Sequence, residues 1–132
     1  MDKIIKIVIA VLAIVVVASM AFLFTGTMAT LDKESGTPAT IYFFYGEECP
    51  HCHTIMPFVE SMTQKYPDAD IRILEVWHNQ TNQRTYQEAN IAAGVKYAGV
   101  PEVVSGKTVL SGELEIPAKL EGLIQDYLKK KA

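Results

Sequence analysis

Two cysteines and two histidines crowd into six residues, Glu48-Cys49-Pro50-His51-Cys52-His53, and that composition supports three chemistries. Cys49 and Cys52 have the spacing of a redox dithiol. Cys49, Cys52 and His53 have the spacing of a haem-attachment site, and two thiols with two imidazoles could hold zinc or copper(I). The hexapeptide alone leaves all three open, so the elements around it must decide.

The chain has 132 residues, 12 basic against 15 acidic, for a formal charge of −3, which leaves no basic face for nucleic acid. Its 2 cysteines both lie in the hexapeptide, so none remains for a structural disulfide. In an oxidising compartment small domains ordinarily use cysteines as staples. Here the pair itself must be the chemistry.

From Ile4 to Phe24 the sequence IIKIVIAVLAIVVVASMAFLF is apolar apart from Lys6 and Ser19. As a helix at 1.5 Å per residue it would span roughly 30 Å, the thickness of a bilayer core. Lys3 and Lys6 place the excess positive charge at its amino end, which orients the remainder outside the cytoplasm. Ser19-Met20-Ala21 could be a signal-peptide cleavage site, but the apolar run continues through Phe22-Leu23-Phe24, which favours an uncleaved anchor. The expected organisation is an anchor over residues 1–24, a small polar tether over 25–38 and a folded domain over 39–132.

In that domain Ala39–Tyr45 is β-branched and aromatic and ends at Gly46, the pattern of a buried strand and a turn. Pro50 suits the first position of a helix, where its missing N–H would be unpaired anyway, so Cys49 becomes the N-cap. Cys52, Ile55, Met56, Val59 and Met62 then form one apolar stripe, with a kink expected at Pro57. Asp70–Trp77 reads as a second strand, parallel to the first because a crossover helix joins them. A helix over Thr81–Ala93 closed by Gly94 follows, then a hairpin from Glu102-Val103-Val104 to Thr108-Val109-Leu110. A last helix is expected to open at Pro117, with Leu120, Leu123, Ile124, Tyr127 and Leu128 on its inner face. The order is βαβαββα.

A thiolate at an N-cap can accept N–H groups of the first turn at the positive end of the helix dipole, which favours the charged form of Cys49. That makes Cys49 the nucleophile. Cys52, one turn in and on the buried stripe, is the sulfur that resolves a mixed disulfide. A protonated His51 would add positive charge beside the thiolate and make the disulfide a stronger oxidant. Glu47 and Glu48, joined by Glu102, surround the site with negative charge that opposes this.

An aromatic strand running into Cys49-Pro50-His51-Cys52, a helix proline five residues beyond Cys52, and Val100-Pro101 opening a hairpin together resemble the thioredoxin superfamily over nearly all of Ala39–Ala132. The domain is similar in size to glutaredoxins and carries the CPHC dithiol of periplasmic DsbA-type oxidants. The resemblance implies an α/β thioredoxin-like fold with a central mixed four-stranded sheet and flanking helices. It also implies a cis peptide at Val100-Pro101 packed against the dithiol, where Val100 pairs with an extended substrate segment and Pro101 keeps metal from bridging the sulfurs. Two features depart from it. The buried acid that many relatives place six residues before the first cysteine is here Phe43, and the large helical insertion of DsbA-type proteins is missing.

A c-type cytochrome using Cys49, Cys52 and His53, with Met56 or Met62 as distal ligand, would be expected to be helical, whereas strands flank this motif. A metal carrier would need His51 or His53 to share a shell with sulfurs that flank it too closely. The sequence therefore reads as a membrane-anchored, extracytoplasmic thiol-disulfide oxidoreductase. Cys49 and Cys52 are catalytic, Glu48, Pro50 and His51 tune them, and Val100 and Pro101 bind substrate. The expected cofactor is none beyond the dithiol, and the expected partners are cysteines of exported proteins, a membrane redox partner and the bilayer around residues 4–24.

Overall fold

The computed structural model describes the backbone of residues 1–24 and 38–132 and the side chains of residues 1–16 and 38–132. All but the last residue of the expected tether, 25–38, lies outside the described residues. The chain divides into two compact units, Met1–Ser35 and Gly36–Ala132.

In the first unit, Asp2–Phe24 forms helix α1 of 23 residues, with Asp2 in the first turn. An acidic side chain there meets the positive end of the helix dipole. Ile4, Ile7, Leu12, Ile14 and Val16 are all exposed. Among the described residues, no helix is long and apolar enough to cross a membrane.

In the second unit, β1 (Ile41–Tyr45), α2 (Pro50–Lys65), β2 (Ile71–Glu75), α3 (Gln80–Ala93), β3 (Glu102–Ser105), β4 (Thr108–Ser111) and α4 (Gly112–Lys131) follow the expected βαβαββα order. The sheet runs β2-β1-β3-β4. The β1–β2 pair is parallel, as a crossover through α2 requires, and β3 is antiparallel to both β1 and β4. This mixed four-stranded sheet with helices on both faces is a thioredoxin-like α/β fold.

Strand alternation divides the core. Ile41 and Phe43 point to one face, packing with Ile55, Val59 and Met62 of α2 and with Ile116, Leu120 and Ile124 of α4. Phe44 points to the other, with Val76 and Val104, under Tyr86 and Ala89 of α3. The Phe44 and Tyr86 rings meet edge to face at 4.9 Å between centroids, a favoured aromatic arrangement. Burial of Phe43, Phe44, Ile41 and Val103 is complete, and these side chains fix the register of β1 and β3. A slip of one residue would exchange the two faces.

One boundary departs from the expected fold. Helix α4 begins at Gly112 and carries Pro117 inside it, so Pro117 does not open the helix. The turn before the proline is held by other means: the Glu115 carboxylate accepts the Ser111 N–H at 2.9 Å, and Glu113 and Glu115 stand in the first turn, where acidic side chains favour a helix start. Ile116, upstream of the proline, joins the core. In α2, Pro57 lies inside a helix that continues to Lys65.

Candidate active site

The site lies where β1 ends and α2 begins. Cys49 has extended backbone angles (φ −82°, ψ 108°) and is the N-cap, followed by Pro50 at the first helical position. Its Sγ accepts the backbone N–H of Cys52 at 3.2 Å, one of the donors that a helix start leaves without an intrahelical partner. Cys49 and Cys52 are joined as a disulfide. Cys52 is fully enclosed, whereas Cys49 keeps 4% exposure, so an incoming thiolate meets Cys49 first.

The Val100–Pro101 peptide is cis. The carbonyl oxygen of Val100 lies 4.0 Å from Cys49 Sγ, and Pro101 is buried. The Pro101 carbonyl accepts the Gly112 N–H at 2.9 Å, which ties the start of α4 to this loop. Between them runs an open groove of about 430 Å³, lined by His51, Val100, Pro101, Ser111, Gly112 and the first turn of α4. Thus Cys49, Pro50, His51, Cys52, Val100 and Pro101 converge on one end of the sheet.

The three histidines have separate partners. His51 Nδ1 meets Glu113 Oε2 at 2.9 Å, joining the starts of α2 and α4. His53 Nε2 meets the carbonyl of Glu47. His78 Nε2 lies 2.7 Å from a Glu48 oxygen, and the hydrogen bond and charge of Glu48 hold His78 above the ordinary histidine range. Glu48 is therefore engaged with His78, while His51 bonds Glu113 and His53 the Glu47 carbonyl.

Glu102 departs from the expected ring of negative charge around the dithiol. It is only 1% exposed. It pairs with Phe44 in the sheet, and its Oε2 accepts Asn90 Nδ2 at 2.8 Å. Burial pushes its carboxyl upward against the opposing effect of the Asn90 hydrogen bond, so Glu102 belongs to the α3 face of the core. On the same face burial, together with the charge of Glu102, pushes Tyr86 up to about 12. The surface acids near the dithiol are instead Glu47, Glu48, Glu113 and Glu115.

Two residues that sequence reasoning missed shape the site. Glu75 accepts the backbone N–H groups of Trp77 at 2.7 Å and of His78 at 2.9 Å, and also those of Glu47 and Asn79. Burial pushes its carboxyl up, but these bonds outweigh it and leave Glu75 below the usual range. It thereby ties the loop before Cys49 to the start of α3. Glu113 was hidden by the expected helix start at Pro117; the acidic pair in GELEIP is the signal that would have revealed it. Trp77 packs flat enough on Gly46 that a Cβ there would collide with the indole, so glycine is required for this close approach.

Glu47, Glu48 and His78 also bring potential metal-ligating atoms within 4.8 Å of one another, all on exposed side chains. The hydrogen bond between His78 and Glu48 accounts for two of the three.

The fold and the site together define a thioredoxin-like domain with a CxxC dithiol at the start of its first domain helix. No protein-family model matches the chain, and no curated protein matches it. Among solved structures it is similar to a glutaredoxin from Archaeoglobus fulgidus (20% identity, 66% of this chain and 87% of that chain, TM-score 0.46). It is also similar to thioredoxin O2 from Arabidopsis thaliana in the oxidized state (16% identity, 69% and 76%, TM-score 0.47). A third is the holo form of glutaredoxin C1 from Populus tremula × tremuloides (16% identity, 74% and 80%, TM-score 0.41).

Proposed function

We propose that the protein is a thiol-disulfide oxidoreductase that exchanges disulfides with protein cysteines through Cys49 and Cys52. The observation that carries this reading is the N-cap sulfur: Cys49 Sγ accepts the Cys52 N–H at 3.2 Å and is the more exposed of a bonded pair. In the oxidising direction, a client thiolate attacks Cys49 Sγ and the Cys52 sulfur leaves. A second client thiolate then attacks the mixed disulfide, and Cys49 leaves as a thiolate stabilised at the helix start. Two electrons pass from client to protein, and each departing thiolate takes a proton as its environment requires. The reverse steps reduce a client disulfide, and the net direction follows the partner that recycles the dithiol.

Each nearby group has a role in this cycle. Pro50 fixes the helix start, His51 supplies positive charge when protonated, and Val100 and Pro101 form the wall against which a client segment lies. Glu48 acts at one remove, through His78. The dithiol is sufficient redox machinery, and we assign no metal or haem.

We further propose that residues 4–24 anchor the chain in a membrane, with residues 39–132 outside the cytoplasm, Thr25–Pro38 as the tether and a membrane redox partner recycling the dithiol. The support is the apolar run of the sequence, its positive amino flank and the exposed apolar side chains of α1. Alkylation of free thiols in intact cells, read as a gel-mobility shift of the membrane fraction, tests the whole reading. An exchanging dithiol changes its oxidised fraction when reductant is added outside the cell; an inert pair, or a protein found only in the soluble fraction, contradicts the corresponding part.

A further inference from the structure

Acidic side chains gather at the dithiol end of the second unit's sheet, which carries Glu47, Glu48, Glu75, Glu113 and Glu115. Of these, Glu115 is bonded to Lys119 at 2.7 Å, Glu113 meets His51 and Glu48 meets His78. The other end carries both signs: Arg72 at the start of β2, Lys107 in the β3–β4 turn and Lys129–Lys131 at the close of α4, with Asp68 and Asp70 beside them. There Lys131 donates to the Asp68 carbonyl and Arg72 pairs with Asp70. Five carboxylates with one lysine bonded among them favour a negative field at the mouth of the reactive site.

Large apolar side chains are exposed at the same mouth. Trp77 follows β2 and covers Gly46, and Leu114 lines the groove. Their exposures are 49% and 84%. Leu114 shares the groove with Glu113 and Glu115, so an occupant there meets an apolar surface between two carboxylates.

Resting on the redox reading above, we propose that the preferred clients are extended, cationic cysteine-bearing segments: a cysteine flanked by lysine or arginine together with apolar residues. The flanking cations face Glu113 on one side of Cys49 and Glu47 and Glu48 on the other, and the apolar residues cover Leu114 and Trp77. Opposite charge raises the encounter rate, and like charge suppresses the wrong partner. Segments rich in glutamate, and acidic small thiols, are repelled by the same groups.

Stopped-flow mixing tests this with the oxidised full-length chain in neutral detergent micelles. Formation of the mixed disulfide is followed by the fluorescence of Trp77, the only tryptophan. Single-cysteine peptides of one apolar composition carry lysine, glutamine or glutamate on both sides of the cysteine. Each rate is divided by that peptide's rate with a neutral small disulfide, which removes the effect of the flanks on the peptide thiol. The lysine peptide is expected to react at least about tenfold faster than the glutamate peptide at low salt. The gap closes as salt is added, and narrows in the Glu47→Gln, Glu48→Gln, Glu113→Gln triple variant. Equal rates, a faster glutamate peptide, or a gap indifferent to salt overturns the proposal. Neutral dithiothreitol separates the two levels: if it reduces the protein while the peptides show no charge preference, only the client proposal fails, and if it does not reduce the protein, the redox reading itself fails.

Discussion

Glu102 and Asn90 form a polar pair inside the second unit: Glu102 Oε2 accepts Asn90 Nδ2 at 2.8 Å, and the two residues are 1% and 5% exposed. The same amide donates to the Tyr86 carbonyl at 2.9 Å, so Asn90 bridges α3 to the first residue of β3. Burial is the larger influence on this carboxyl and raises it, with the Asn90 bond opposing. The fold consequently holds a proton on Glu102 more tightly than the unfolded chain does.

The sign of the resulting pH dependence follows. Between the unfolded glutamate value and the higher folded value, the native state binds more protons, so stability falls as pH rises through that window. Glu102→Gln retains an acceptor for Asn90 and removes the ionisation, so denaturant unfolding should give a flatter stability profile across the window than wild type. Glu102→Ala removes the acceptor and leaves a cavity, and should cost about 2–3 kcal/mol. A Glu102→Gln profile as steep as wild type would contradict the assignment.

His51 is more than two-thirds exposed and bonded to Glu113, so solvent and a carboxylate both screen its charge. Its replacement by alanine should still make the dithiol more reducing, by only about 10–20 mV, since exposed ion pairs are worth roughly 0–1 kcal/mol and 30 mV corresponds to about 1.4 kcal/mol. Redox equilibration against a dithiol buffer measures it, and an unchanged potential removes His51 from the tuning groups.

The Glu48–His78 pair predicts a second pH dependence. The hydrogen bond from Glu48 raises His78, so any stabilisation by the pair is present below the unfolded histidine value and is lost as pH rises through the folded one. An NMR titration of the ring protons should place the His78 midpoint above the ordinary histidine value, and Glu48→Gln should lower it. A midpoint unmoved by that substitution would separate the two residues.

The legible parts of the fold were those written by local rules. The β1 aromatic run, Pro50 at the start of α2 and the Leu120–Ile124 stripe each follow from strand alternation, helix-start preference or helical period. The start of α4 escaped because proline preference at the first turn outweighed the local acidic signal of GELEIP, whose Glu115 carboxylate accepts the Ser111 N–H. In the site, the Cys49 N-cap followed from Pro50. The partners of His51, Glu75 and Glu102 were not legible, since Glu113 is 62 residues away from His51 and the burial of Glu102 depends on α3 covering that face of β3.

In the proposed exchange Cys49 attacks and Cys52 resolves. Cys52→Ala keeps the backbone N–H that faces Cys49 and removes only the resolving sulfur, whereas Cys49→Ala removes the more exposed of the two. The direct test is non-reducing electrophoresis of each variant recovered from growing cells, with mass mapping of the linked peptides. Cys52→Ala should carry client proteins joined through Cys49, and Cys49→Ala should carry none. Adducts that form equally through Cys52, or no adduct on either variant, would contradict the account.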